Sequence, residues 1–391
     1  MEKLWKYKKI GEVCIVERGA SPRPIDKYIT DNESGINWIK IGDTSDSMYI
    51  TETAQKIIVE GMKKSRYVKP GDFLLSNSMS FGRPYILKID ECIHDGWLVL
   101  RDENALFDKR FLYYYLSSKT TYKKLKSMAV GGVVNNLNSE MVRNVIVPVP
   151  DKEEQSEIAD LFDKIKKILD DRKQELEQLD TLVKSRFVEL FGDPVINSRG
   201  WKKALIGDDC FVTKLAGFEY TQYINYEDSG DVVMVKAQNV KNGKLNRKEL
   251  SFISNEVSDS LPRSQLAPGD VVMTYVGANI GDVAIIDNEY KYHLAPNVAK
   301  IRPDSERYNS IYFMYMLMLL NAYIVKNSAD TAKAALGMER IRKLNVFVPP
   351  MELQNQFADF VTSIDKSKSK IQKSLEETQL LFDSLMQKYF G

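Results

Sequence analysis

Asp270, in a Pro268-Gly269-Asp270 turn, and the following Glu289-Tyr290-Lys291 have the outline of a metal-dependent nuclease centre. Such a centre needs its carboxylates on one metal ion and its lysine beside the attacked phosphate. The same Pro-Gly-Asp recurs at Pro70-Gly71-Asp72, where the matching Asp90-Glu91-Cys92 has no lysine. A turn that repeats without its chemistry reads as scaffold, because short motif matches carry a high false-positive rate. The two histidines, His94 and His293, and the three cysteines, Cys14, Cys92 and Cys210, lack the companions a zinc site requires. Pro349-Pro350 follows Val348, so there is no Asn-Pro-Pro-aromatic tetrapeptide to hold a flipped base. No Gly-rich strand-turn-helix or Gly-Lys-Ser/Thr loop suits a nucleotide or adenosyl cofactor. The expectation is a chain with no catalytic residues, no metal and no cofactor of its own.

The positions that do recur reveal the organisation. Trp5-Lys6 returns as Trp201-Lys202, Ile10-Gly11 as Ile206-Gly207, Cys14 as Cys210 and Ile39-Lys40 as Val235-Lys236. Further on, Gly82 returns as Gly281, His94 as His293, Leu137 as Leu336, Ala159-Asp160 as Ala358-Asp359 and Phe191-Gly192 as Phe390-Gly391. The offset drifts only from 196 to 199 across the copy. The chain is a tandem duplication, and shared positions such as the histidines and Cys14/Cys210 read as structural.

Each copy closes on a long stretch free of Pro and Gly. After Pro148-Val149-Pro150, the acidic Glu153, Glu154 and Glu157 suit the positive end of a helix dipole. Leu161, Ile165, Ile168, Arg172, Leu176, Leu179, Val183, Phe187 and Leu190 then follow at steps of three and four, giving one apolar helical face. The second copy supplies Phe360, Ile364, Ser367, Ile371, Leu375, Thr378, Phe382, Met386 and Tyr389, with Ser367 and Thr378 expected to loosen the stripe. An amphipathic helix of this length needs a partner, and the other copy provides one, predicting an intramolecular antiparallel pair. The expected boundaries are 1–150, 151–192, 193–349 and 350–391: globular segment, helix, globular segment, helix. In the globular parts, residues 37–41, 72–75 and 144–147 read as strands, while 110–118 and 311–320 read as buried helices with their tyrosines in the core.

A formal charge of +1 conceals an uneven distribution: +5 over residues 1–150, −4 over 151–192, +1 over 193–349 and −1 over 350–391. The basic excess lies in the globular segments, which permits a nucleic-acid partner without requiring one. No run of 18 apolar residues and no apolar leader with a small-residue cleavage site is present. A cytoplasmic protein without membrane contact, its thiols buried and unpaired, is therefore expected.

The order of parts resembles the specificity subunit of type I restriction-modification systems. The resemblance covers essentially the whole chain. Its marks are the helix end Leu190-Phe191-Gly192-Asp193-Pro194, the restart at Trp201-Lys202, the second end Tyr389-Phe390-Gly391, and a Pro-rich helix start followed by a glutamine, Pro150 with Gln155 and Pro349-Pro350 with Gln354. It implies an α+β fold, with two pseudo-symmetric α/β target recognition domains joined by two long helices in an antiparallel coiled coil. It also implies a non-catalytic, DNA-binding subunit in which each domain reads one half of a split asymmetric target. The partners implied are double-stranded DNA, two methyltransferase subunits docked on the helices, and nuclease/translocase subunits in a full restriction complex. The competing reading, suggested by the near-neutral charge, is a helical-hairpin interaction scaffold that never touches DNA.

Base reading needs forked donors and acceptors on loops or strand ends. The first copy offers Lys40, Asn77, Ser78, Arg83, Asn135 and Asn136; the second offers Lys236, Gln238, Asn239, Tyr275, Asn279 and Lys333. The expected coiled-coil contacts are Leu161, Ile165, Ile168, Leu176, Leu179, Val183 and Phe187 against Phe360, Ile364, Ile371, Leu375, Phe382 and Met386.

Overall fold

The computed structural model describes residues 5–77, 82–129, 136–326 and 335–391. It divides into two compact units, residues 1–173 with 373–391 and residues 174–372. The Pro- and Gly-free stretches form two 40-residue helices, Lys152–Phe191 and Met351–Phe390, each of which contributes one half to each unit. Among the described residues no helix is long and apolar enough to cross a membrane.

In the first unit, the strand Lys6–Lys9 pairs antiparallel with Ile146–Val149, so the beginning and end of the head meet. Two five-stranded sheets make up the head. One orders Ile15–Arg18, Trp97–Arg101, Phe73–Ser76, Pro84–Leu87 and Tyr49–Ile50. The other orders Ile29–Thr30, Lys56–Ile57, Ile36–Ile39, Glu91–Ile93 and Arg66–Val68, with a parallel pair in the middle, Trp38 opposite Cys92. A core built on Phe73, Leu98 and Phe111 reaches the helices, where Phe162 packs 5.4 Å from the Phe382 ring and 5.7 Å from Phe390.

The second unit repeats this plan with four-stranded sheets. Cys210–Lys214, Val298–Pro303, Val271–Thr274 and Val283–Ile285 form one; Phe252–Ile253, Val232–Val235, Lys291–Leu294 and Gln265–Leu266 form the other. Val232–Val235 and Lys291–Leu294 reproduce the central parallel pair. Lys202–Leu205 closes on Asn345–Val348 as its counterpart does. Phe187 and Phe191 lie 5.4 and 5.7 Å from Phe357 and belong to this unit's core.

The helices thus run antiparallel, since the start of each meets the end of the other. The buried stripe differs in part from the expected one. Ile165, Val183, Phe187 and Ile371 are buried, and Leu161, Leu176, Leu179, Phe360, Ile364, Leu375, Phe382 and Met386 are half-buried. Ile168 is 45% exposed, and its neighbour Leu169 is buried instead. Ser367 is exposed, so it does not interrupt the stripe, and Thr378 turns its hydroxyl back to the Ser374 carbonyl. Part of the shift has a plain cause: each helix packs on a head core as well as on the other helix, which draws Phe162 and Phe191 into the covered face.

Candidate nucleic-acid interface

The loops that carry polar side chains are held by bonds that occur twice. In each Pro-Gly-Asp turn the aspartate carboxylate accepts the N–H three residues back, Lys69 at 3.0 Å and Ala267 at 2.8 Å. Gly71 and Gly269 adopt φ of +92° and +89°, which a side chain would strain. Asp72 also accepts from Arg101, and Asp270 takes two bonds from Arg302 at 2.6 and 2.8 Å. Asp270 is therefore committed to a salt bridge, Glu289 pairs with Arg247 and Lys291 donates to Asn255, which leaves the nuclease outline without a shared centre. Among the described residues no group of His, Cys, Asp and Glu is placed to hold a metal ion.

Gln155 and Gln354 lock each long helix to its head. Both are fully buried, and their side-chain carbonyls accept from Asp108 N–H and Asn309 N–H, each at 2.8 Å. Their amides donate to Pro150 and Leu106 in one copy and to Pro349 and Arg307 in the other. Arg143 and Arg342 likewise donate to the carbonyls of Val16 and Val212.

The candidate readers fare differently. Asn77 is buried, and its amide donates to the Asp95 carbonyl at 2.9 Å. Asn239 is buried as well, donating to the Asn246 and Lys248 carbonyls and accepting from Lys236 N–H. Both side chains thus hold their own loops through bonds to backbone. Ser78, Asn135 and Lys333 lie outside the described residues. Lys40 and Asn136 are half-buried, and Asn279 is exposed. Arg83 pairs with Asp46 beside a hollow of about 870 Å³ that Tyr113 and Lys166 also line, so it faces the helix side of its head. Lys236 donates to the Ser251 hydroxyl, exposed Gln238 reaches Glu249, and half-buried Tyr275 carries Lys214 over its ring.

A cluster centred on Asp95 escaped the sequence reading. Its carboxylate accepts from the Ser21 hydroxyl at 2.9 Å, from His94 Nε2 at 2.9 Å and from Arg23 at 3.2 Å. His94 Nδ1 accepts the Gly96 N–H, which places the ring proton on Nε2, facing Asp95. Burial works against the Asp95 charge, but Ser21, His94 and Arg23 outweigh it and hold the carboxyl below its usual range. His94 is held below the usual imidazole range, chiefly by burial. His293 is wholly buried and also lowered by burial. The thiols are inert for the same reason: burial pushes Cys14 and Cys210 up to about 12 and Cys92 to about 11. A signal for the cluster did exist, because Ser21-Pro22-Arg23-Pro24 sets an arginine between two prolines.

Two units built on one duplicated framework, with loops that have diverged, define a tandem-repeat α+β protein. The family of type I restriction modification DNA specificity domains matches residues 2–179 and again 199–378. The chain belongs to that family and carries its domain twice. The MjaVIII specificity subunit of Methanocaldococcus jannaschii is 23% identical over 95% of this chain and 90% of its own length. The MjaIX specificity subunit of the same organism is 22% identical over 99% and 92%. A structure described as the S subunit of a type I restriction-modification system from M. genitalium has the same fold, with a TM-score of 0.57 at 14% identity over 99% of this chain and 96% of that one. A chain from a structure of type I restriction-modification complex assembly superposes with a TM-score of 0.64 at 16% identity, covering 99% and 97%.

Proposed function

We propose that this chain is the non-catalytic DNA-reading subunit of a type I restriction-modification complex, each head reading one half of a split, asymmetric target. The observation that carries this reading is the contrast within the duplication. The aspartate-capped turns, the glutamine locks and the central parallel strand pair recur in both copies, whereas the solvent-facing loop residues differ in charge and shape. Two heads that fold alike but present unlike side chains suit two unlike half-sites. On this reading the long helices, to which both units contribute, set the length of a spacer whose bases go unread. Methyltransferase subunits dock on the helices, and they and nuclease/translocase subunits supply the chemistry. On this reading residues 1–150 and 193–349 are the two target recognition domains and 151–192 and 350–391 the spacer helices.

Selection from random double-stranded DNA by the chain bound to its methyltransferase partner tests this. A bipartite consensus with an unread spacer is expected. Recovery without any consensus would leave the helical-hairpin scaffold as the better reading.

A further inference from the structure

We propose that Arg23 reads a guanine in the half-site of the first head, and that Asp95 is the residue that positions it. The inference rests on the DNA-reading function above and names a residue within it. Arg23 is an unusual arginine: its side chain is 80% exposed, yet one guanidinium nitrogen is tied to Asp95. Pro22 and Pro24 limit the backbone on either side.

Asp95 is itself held on every side. Ser21 and His94 bond its carboxylate, while Arg18 and Asn77 donate to its carbonyl at 3.1 and 2.9 Å. Gly19 allows the segment to lie this close, for a Cβ there would stand 2.1 Å from the His94 carbonyl oxygen. An exposed ion pair adds little to stability, so fold stability does not account for five groups converging to fix one solvent-facing guanidinium. Preorganisation does. A guanidinium offers five N–H donors in a rigid fork, and the fork matches guanine O6 and N7 in the major groove. Beside it lies a hollow of about 390 Å³, walled by Trp38, His94 and Ile25, which leaves room for a base edge.

The second copy isolates this position. Around it the framework matches: Val16 with Val212, Ala20 with Ala216, His94 with His293. At the same offsets, Arg23 becomes Glu219, Ser21 becomes Gly217 and Asp95 becomes Leu294. Glu219 faces inward instead, with both oxygens 3.1 Å from Arg263 and the Ala216 N–H capped at 2.9 Å. The neighbouring Phe218 stands 67% exposed. Heads that read different bases must differ where they read, and here the charge inverts inside an otherwise shared frame.

The test uses the chain in complex with its methyltransferase partner, with selection on random DNA and affinities measured on the selected site. Arg23→Ala should erase one guanine from one half-site, leave the other half-site intact and weaken binding to the consensus roughly 5- to 150-fold. Arg23→Lys should relax the same position less. Asp95→Asn, which keeps the Ser21 bond but loses the charge, should relax that position alone, an effect a merely structural role would not produce. An unchanged motif in Arg23→Ala overturns the proposal. So does an equal loss on all sequences with a salt slope lower by about one, the signature of a phosphate contact. If the wild-type complex selects no split motif, the functional reading fails together with this one; a wild-type motif that Arg23→Ala leaves intact removes this one alone.

Discussion

Replacing Gln155 with leucine keeps the bulk of a wholly buried side chain and deletes three hydrogen bonds, one accepted from Asp108 N–H and two donated to the Leu106 and Pro150 carbonyls. Each bond contributes about 0.5–1.5 kcal/mol net, and the groups left behind are hard for water to reach. Allowing for the apolar burial leucine regains, the expected loss is about 2–4 kcal/mol. Urea unfolding would report it as a lower midpoint at constant slope. Gln354→Leu deletes the same set in the second copy and should cost the same, and because the sites share no partner the double variant should add within about 0.5 kcal/mol. Gln155→Glu sharpens the argument. A carboxylate would face two carbonyl oxygens, so its folded pKa rises above the unfolded value, and its stability, greatest below that value, is lost as pH climbs through the folded one. Losses under about 0.5 kcal/mol in either leucine variant would refute the view that these glutamines fasten helix to head.

Three further outcomes follow. Phe162→Ala, which empties a site shared by Tyr114, Phe382 and Phe390, should destabilise the first unit by about 3–5 kcal/mol in calorimetry or denaturant unfolding, with Phe162→Leu costing less. Glu91 is buried with neither carboxylate oxygen bonded, and burial first, then Asp43, pushes it up to about 8. Wild-type stability is therefore full below the unfolded value near 4.5 and drains away as pH rises through 8, so Glu91→Gln should gain on wild type by of order 3 kcal/mol from pH 5 to 9; parallel pH profiles would contradict this. Inserting seven residues into the middle of both long helices adds about 10 Å and should lengthen the unread spacer by about three base pairs, with both half-sites unaltered in methylation mapping. Changed half-site bases would break the division between reading heads and spacing rod.

The duplication, the two long helices and most strands and buried helices were legible without coordinates, because periodicity, Pro-Gly punctuation and recurrence are local signals. The expected strands 37–41 and 72–75 appear at Ile36–Ile39 and Phe73–Ser76, and 144–147 at Ile146–Val149. The helices expected at 110–118 and 311–320 appear at Lys109–Ser117 and Ser310–Lys326. What remained hidden was set by distant partners. That the Asn77 amide is tied to the carbonyl of Asp95, 18 residues on, and the Asn239 amide to that of Lys248 shows only in the folded chain. Ile168 and Leu169 are equally apolar neighbours, and only the folded chain shows that Leu169 is the one turned inward. Arg23 is one of many exposed basic residues in the sequence, and it becomes distinct only when the fold carries Asp95 to it across 72 residues of chain. Local sequence thus determined which elements form and that they form twice. Tertiary structure decided which side chains are spent on holding loops together and which are left facing solvent, because a polar side chain's availability depends on partners that chain distance does not reveal.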